Sequence, residues 1–300
     1  MSIVVVGSVA LDSVETPLGK VDDALGGSAT YFSVAASFFT KNVKLVAVVG
    51  EDFPDEHVEF LKSRDVNLEG LERVAGKTFR WGGRYGMSLG GAETLFTELN
   101  VFETFSPKVP ESYKNAEYLF LANINPELQI AVLDQIKNAK LVVCDTMNLW
   151  IAERKEQLLE TIKNVDILII NDEEARQLTG EKKVDMSARK ILEYGPQRVI
   201  VKKGEHGAMT MTESSYFSAP AYPLKSVFDP TGAGDTFAGG FMGYLASTDE
   251  ASEINIRRAM IYGTVMASFN VEDFSLNRQR NLTKDEIESR FAEMRAITEF

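Results

Sequence analysis

One cysteine and two histidines in 300 residues leave little material for several kinds of chemistry. Cys144 has no partner for an internal disulfide, and neither a cysteine-rich nor a histidine-rich metal site can be assembled. It closes the apolar run Leu141-Val142-Val143-Cys144, where burial as a small hydrophobe is expected rather than work as a nucleophile. His57 and His206 offer no basis for a Ser-His-Asp triad. Basic residues are in deficit: 32 Lys and Arg face 44 Asp and Glu, a formal charge of −12. That balance argues against a nucleic-acid partner, which calls for a basic, phosphate-neutralising face, but it leaves room for a local basic pocket. No apolar run approaches the roughly eighteen residues that span a bilayer. The start, Met1-Ser2-Ile3-Val4-Val5-Val6-Gly7, has neither the basic segment nor the apolar length of a signal peptide. A cytoplasmic protein without a membrane partner is expected. Prolines number only nine, and 44% of the chain is hydrophobic, enough for one large core.

Short β-branched runs predict buried strands at Ile3 to Val6, Lys44 to Val49, Tyr118 to Leu121, Lys140 to Cys144, Ile167 to Ile170 and Arg198 to Val201. Helical spacing falls between them at Ala29 to Phe39, Asp55 to Ser63, Glu127 to Ile136 and Glu156 to Ile162. Such alternation predicts an α/β fold, a mostly parallel sheet with helices on both faces. Ser13 to Leu25 and Lys77 to Val101 break the rhythm. The second predicts strand, Gly-rich turn and strand, with Gly82-Gly83 and Gly90-Gly91 in the turn. Together they predict a small β-rich lid inserted into one domain spanning 1–300.

The segment that carries chemistry is Asp229-Pro230-Thr231-Gly232-Ala233-Gly234-Asp235-Thr236-Phe237. A Gly-Ala-Gly turn entering a helix leaves unpaired N–H groups pointing at one spot, reinforced by the helix dipole. A carboxylate beside that spot suits phosphoryl transfer: amides of Gly232, Ala233 and Gly234 hold phosphate charge while Asp235 accepts the proton of an attacking hydroxyl. The plain alternative is a turn followed by a helix cap. Asn171-Asp172-Glu173-Glu174 follows an apolar strand, so Asn171 and Glu174 can both face the strand's carboxyl end, where ligands bind in such sheets. A cap with a first-turn acid is the alternative there.

The Asp229–Phe237 segment resembles the C-terminal signature of the ribokinase/PfkB family of carbohydrate and nucleoside kinases. Other segments follow that family in order along almost the whole chain, which implies the ribokinase-like fold, ATP as phosphoryl donor and Mg²⁺ as its companion. Gly7-Ser8-Val9-Ala10-Leu11-Asp12 resembles the first strand and substrate-binding aspartate. Gly26-Gly27 resembles the glycine pair that lets backbone approach the acceptor. The resemblance makes Asp235 the base and Gly232–Gly234 the anion hole. It assigns Asn171 and Glu174 to Mg²⁺ and phosphate placement through water, and Lys203, Gly204 and Gly207 to the nucleotide-binding turn, with Gly263 to Asn270 beside the adenine. Asp229 and Thr231 resemble positions that, in several members, supply oxygens to an activating K⁺. Gly50-Glu51-Asp52 resembles a structural Gly-x-Asp.

Two departures point away from ribose itself: Tyr31 stands where the family usually has an asparagine, and Pro54 where it has a glycine. Asn123, in Ala122 to Glu127, and the stretch Ala267 to Glu272 look more like nucleoside-kinase members. Tyr31, Trp81 and Phe96 are candidates to line a pocket for a base. Sugar and nucleoside are the leading acceptors, vitamin-type alcohols the next. A non-catalytic sugar- or nucleotide-binding regulator on the same fold is the rival reading. The lid has a competing role as a homodimer contact. Ala75-Gly76-Lys77-Thr78 mimics the end of a Walker A loop, but Leu71 stands where its first glycine belongs. A Rossmann dinucleotide site is excluded because Val9 and Asp12 occupy the second and third glycine positions.

Overall fold

The computed structural model describes residues 1–87 and 89–299. Ser88, inside the expected lid, and the terminal Phe300 lie outside the described residues. The strands are β1 (Ile3–Val6), β2 (Ala10–Thr16), β3 (Gly19–Gly26), β4 (Val43–Gly50), β5 (Val66–Val74), β6 (Arg80–Tyr85), β7 (Ala92–Glu98), β8 (Tyr118–Leu121), β9 (Leu141–Cys144), β10 (Ile167–Asn171), β11 (Arg198–Lys202), β12 (Ala208–Met211) and β13 (Tyr216–Ala219). The helices are α1 (Ser28–Ser37), α2 (Asp55–Ser63), α3 (Pro126–Gln135), α4 (Asn148–Glu153), α5 (Lys155–Lys163), α6 (Asp172–Thr179), α7 (Val184–Leu192), α8 (Ala233–Thr248), α9 (Glu253–Asn270), α10 (Asn277–Arg280) and α11 (Lys284–Thr298).

Nine strands form the main sheet in the order β13-β12-β11-β10-β9-β8-β1-β4-β5. From β11 to β5 the neighbours run parallel, and β12 and β13 close one edge antiparallel. Alternation along β1 divides the core. Ile3 and Val5 face a cluster with Phe32 of α1, Phe241 of α8 and Met266 of α9, whereas Val4 and Val6 face one with Leu158, Leu178 and Ile191 of α5, α6 and α7. Burial on both faces is why these strands are continuous apolar runs. Each such side chain taken from water contributes about 1.5–3 kcal/mol.

The lid is a separate four-stranded sheet in the order β3-β2-β6-β7, with β2 and β6 parallel and the outer pairs antiparallel. It begins earlier than expected, at Ala10. Gly82 and Gly83 are not in its turn, as the sequence suggested, but inside β6. A Cβ at Gly82 would strike the ring of Phe96, and one at Gly83 the ring of Trp81. These glycines make room for aromatic rings instead of providing a hinge. Asp52 has the structural job expected of it, accepting from the N–H and hydroxyl of Thr78 and pairing with Arg80. Cys144 is fully buried, and burial pushes its thiol well above the usual range.

Candidate active site

Five parallel strands end on one side of the sheet, and the chemistry-bearing residues sit at those ends. Asp12 lies in β2 of the lid, beyond the end of β1, while Asn123 follows β8, Asp145 follows β9, Asn171 ends β10 and Lys202 ends β11. Two helix N-termini meet the same side. Gly27 begins α1 with φ 95°, and Gly232 begins α8 with φ 73°, a left-handed conformation in which glycine carries no steric penalty. The ring of Tyr31, in the first turn of α1, occupies the space a Cβ on Gly232 would need. Reciprocal bonds between Ser8 and Ser28 fix the start of α1 to the end of β1.

The helix α8 opens at Ala233, inside the Gly-Ala-Gly segment expected to form the turn, so Asp235 lies in its first turn and makes no capping bond. The N–H groups of Gly232 and Gly234 find no hydrogen-bond acceptor among the described residues. The loop before them is braced from below. Asp229 is buried and accepts from the Thr231 N–H at 2.8 Å and the Ser275 N–H at 3.2 Å. Asn270, also buried, donates to the Thr231 carbonyl at 2.8 Å and accepts from Thr236 and Gln279. From the lid, the Tyr85 hydroxyl lies 3.2 Å from Thr231 Oγ1.

Carboxyl groups converge here. Asp12 is buried directly over Gly26, whose missing side chain leaves it space. Burial pushes its carboxyl up to about 7 despite the Gly27 N–H, with Asp229 and Asp235 adding to the rise. Asp235 keeps a partly accessible edge, yet the protein around it removes most of its water. Burial first, then Asp145, raise its carboxyl to about 7 against the pull of Lys202. Burial likewise raises Glu174 to about 7, opposed by Lys202. The Tyr31 hydroxyl is buried without a hydrogen-bond partner, and burial together with Asp12 pushes its pKa well up.

Asn171 and Glu174 form a reciprocal capping box at the start of α6. Glu174 N–H donates to Asn171 Oδ1 at 2.8 Å, and Asn171 N–H to Glu174 Oε2 at 2.9 Å. The cap and the site are therefore one construction, because Glu174 also faces Lys202 and Asp145. Lys203, Gly204 and Gly207 shape the turn after β11. Lys203 N–H donates to the Gly207 carbonyl at 2.7 Å, and a Cβ at Gly207 would strike the Ala219 carbonyl. Gly204 faces open space. Asn123, after β8, has its amide oxygen taken by Trp150 Nε1 at 2.9 Å.

Sequence reasoning missed Lys202, Asp145 and Tyr85. Lys202 donates to Asp145 Oδ2 at 2.8 Å, and its Nζ lies 2.8 Å from where a Cβ on Gly234 would project. Burial opposes its charge, but Asp145 and Glu174 outweigh that and hold its pKa raised. The signal was the doublet Lys202-Lys203 at a strand end, where alternation turns one lysine inward. Trp81 and Phe96 cannot line one pocket. Trp81 shares a face of β6 with Gly83 and Tyr85, toward the site, whereas Phe96 covers Gly82 on the opposite face.

Free helix-terminal amides, carboxyls raised by burial and a buried ammonium gather at the carboxyl ends of parallel strands, an arrangement able to hold a phosphate and to accept a proton. The comparisons with known proteins agree: residues 2–281 match the family described as pfkB family carbohydrate kinase, and the chain belongs to that family. It is 30% identical over 267 residues to the cytidine kinase of Thermococcus kodakarensis, across 86% of this chain and 95% of that one. Its fold is similar to that of the Methanocaldococcus jannaschii nucleoside kinase, with a TM-score of 0.76 at 23% identity, covering 98% and 99% of the two chains. A putative ribokinase II from Escherichia coli, solved in complex with ATP and Mg²⁺, gives a TM-score of 0.80 at 18% identity, covering 97% and 99%. The protein is thus a phosphotransferase with an alcohol acceptor, a sugar or nucleoside kinase of a family that uses ATP. No helix among the described residues is long and apolar enough to cross a membrane.

Proposed function

We propose that the chain transfers the γ-phosphoryl group of ATP to a hydroxyl of a nucleoside, with a sugar as the second acceptor class. The observation that carries the reaction is the pairing of Asp235 with the free amides of Gly232 and Gly234 in the first turn of α8. The acceptor oxygen bonds to the γ-phosphorus as the bond from phosphorus to the bridging oxygen breaks. The acceptor proton passes to Asp235, and the bridging electron pair leaves with ADP. The amides of Gly232 and Gly234 hold the charge that develops on the phosphoryl oxygens, whereas the Ala233 N–H, which the resemblance also put in the anion hole, donates to the Pro230 carbonyl at 3.2 Å and braces the loop.

Asp12, with the backbone of Gly26 and Gly27, grips acceptor hydroxyls. Tyr31, its phenol unpaired and its ring against Gly232, shapes the acceptor pocket between them. Asn123 lines the far side. Lys203, Gly204 and Gly207 take the nucleotide, and Thr231 steadies the phosphate loop. The nucleoside reading is supported by the 30% identity to a protein named cytidine kinase.

The residues present fit Mg²⁺. Glu174 is buried, with one oxygen taken by Asn171 and the other unbonded among the described residues, free to accept from metal-bound water. No group of three ligating side chains occurs among the described residues, as suits an ion held mainly by phosphate and water. Bound there, Mg²⁺ would offset the charge of the phosphates. Asp229 and Thr231 stay candidates to hold K⁺, because each Asp229 oxygen accepts one amide N–H, from Thr231 or Ser275, and keeps a further lone pair.

A screen of nucleosides, sugars and hydroxymethyl-pyrimidines for acceptor-dependent ADP release tests the acceptor. Asp235→Asn tests the reaction: it keeps nucleotide binding and loses about two to four orders of magnitude in turnover. Turnover close to the parent's would remove Asp235 from the role of base.

A further inference from the structure

Lys202 takes no part in the reaction as described so far. Its ammonium carries three N–H donors. One goes to Asp145 Oδ2 at 2.8 Å, and the other two find no acceptor among the described residues. Asp145 is itself buried, and its other oxygen is fixed by the Thr146 N–H at 2.8 Å. The lysine therefore reaches from the end of β11, across the end of β10, to an aspartate after β9, and is held there by a carboxylate that has little freedom. Its Nζ lies against Gly234, within the first turn of α8, where only the absence of a side chain admits it.

The charge count gives this arrangement a purpose. Three carboxyl groups, Asp145, Glu174 and Asp235, surround the one ammonium. A polyphosphate entering that space meets the charge of these carboxyl groups, which the helix amides and Lys202 offset. An ion pair kept only for stability gains little over an apolar pair of the same volume, so stability alone does not account for a buried lysine here.

We propose that Lys202, oriented by Asp145, binds the phosphoryl group in transfer and forms with the free amides of Gly232 and Gly234 a two-part anion clamp. Lys202 is then a catalytic residue and Asp145 a positioning residue. The inference rests on the reaction proposed for Asp235, and its test separates the two. ADP, Mg²⁺ and aluminium fluoride, which together imitate the phosphoryl group in flight, are added to the full chain, and the thermal shift is compared with that from ADP and Mg²⁺ alone.

The parent gains a fluoride-dependent increment. Lys202→Met loses it, and kcat falls about 10²- to 10³-fold, the usual loss for one donor to developing charge. The acceptor KM moves by no more than about threefold, because ground-state binding is untouched. The double variant Lys202→Met with Asp145→Asn removes the stranded carboxylate and shows the same losses if the single variant folds poorly. A full fluoride increment with near-parental kcat in either folded variant overturns the clamp. Asp235→Asn keeps the increment while losing turnover; normal turnover there defeats the general-base reading without touching the fluoride result.

Discussion

Glu174 illustrates how one side chain carries two duties. Its backbone N–H and its carboxylate close the capping box with Asn171, and the same carboxyl faces Lys202 and Asp145. Glu174→Gln keeps an oxygen for the Asn171 N–H, so the cap persists and only the charge is lost. The expected outcome is an Mg²⁺ requirement raised about ten- to a hundredfold, the usual cost of losing an outer-sphere group, with acceptor KM nearly unchanged. Superimposable Mg²⁺ titrations would leave Glu174 a cap alone. At this scale the sequence was legible where a motif stood contiguous, as in Gly232 to Asp235. It was not legible where partners come from different strands. Asp145 is a lone acid after a short strand, and only the fold brings it to Lys202, 57 positions on. Tyr85 was hidden for the same reason, since its hydroxyl meets Thr231 only because β6 lies beside β2.

Elements were legible in proportion to how evenly they are buried. β1 and β8 match their apolar runs residue for residue, because both faces are covered. β5, an edge strand mixing buried and exposed positions, offers no such run and was not foreseen. Neither were β12 and β13 at the other edge. Gly263 to Asn270, expected beside the adenine, is the buried half of α9, with Gly263 pressed against Phe237 of α8. For the lid, the contact between Tyr85 and Thr231 argues for closure over the acceptor, excluding water that would compete for the phosphoryl group. Acceptor binding should slow hydrogen exchange in residues 10–26 and 80–98, whereas ATP alone protects mainly Lys202 to Gly207. Tyr85→Phe weakens closure by about 1 kcal/mol, one hydrogen bond, and speeds exchange in β6. Exchange in the lid that ignores a bound acceptor would make it a static cover.

For the molecule as a whole, the buried carboxyls set a pH dependence opposite to that of most surface acids. Asp12, Glu174 and Asp235 titrate near 7 when folded and near their ordinary values when unfolded. The folded state thus holds more protons between about pH 4 and 7, and stability falls as pH rises through that window. Glu117 and Glu286 work the other way. Bonds from Ser2 hold the first near 2, and Arg278 with Thr283 the second, so their contribution is lost as pH falls below their ordinary values. Stability should therefore peak at about pH 5, read as the urea midpoint from pH 4 to 8. A midpoint that climbs steadily to pH 8 would mean that these carboxyls ionise freely in the fold. The free edge of the lid around β7 suggests an assembly as well. Leu95, Phe96 and Leu99 are 45%, 39% and 43% exposed, and β7 is an unpaired edge. We propose that a second copy covers it: sedimentation should give a dimer, and Phe96→Glu a monomer.

The contact between α1 and α8 constrains this molecule in another way. A Cβ at Gly239 would collide with the Phe32 carbonyl, and one at Gly243 would come within 2.9 Å of Ala36 Cα, so the two helices touch backbone to backbone. On the reading proposed above, α1 carries Tyr31 just after the glycine pair Gly26-Gly27, and α8 carries Asp235 just after Gly232. With no side chain between them, the two helices fix the spacing from the proposed base to the proposed acceptor site. Descendants of this chain that come to use a different alcohol can do so only by changing what surrounds that gap, the lid strands and the first-turn side chain at position 31. New substrates must be cut to the gap unless a side chain at Gly239 or Gly243 forces the two helices apart.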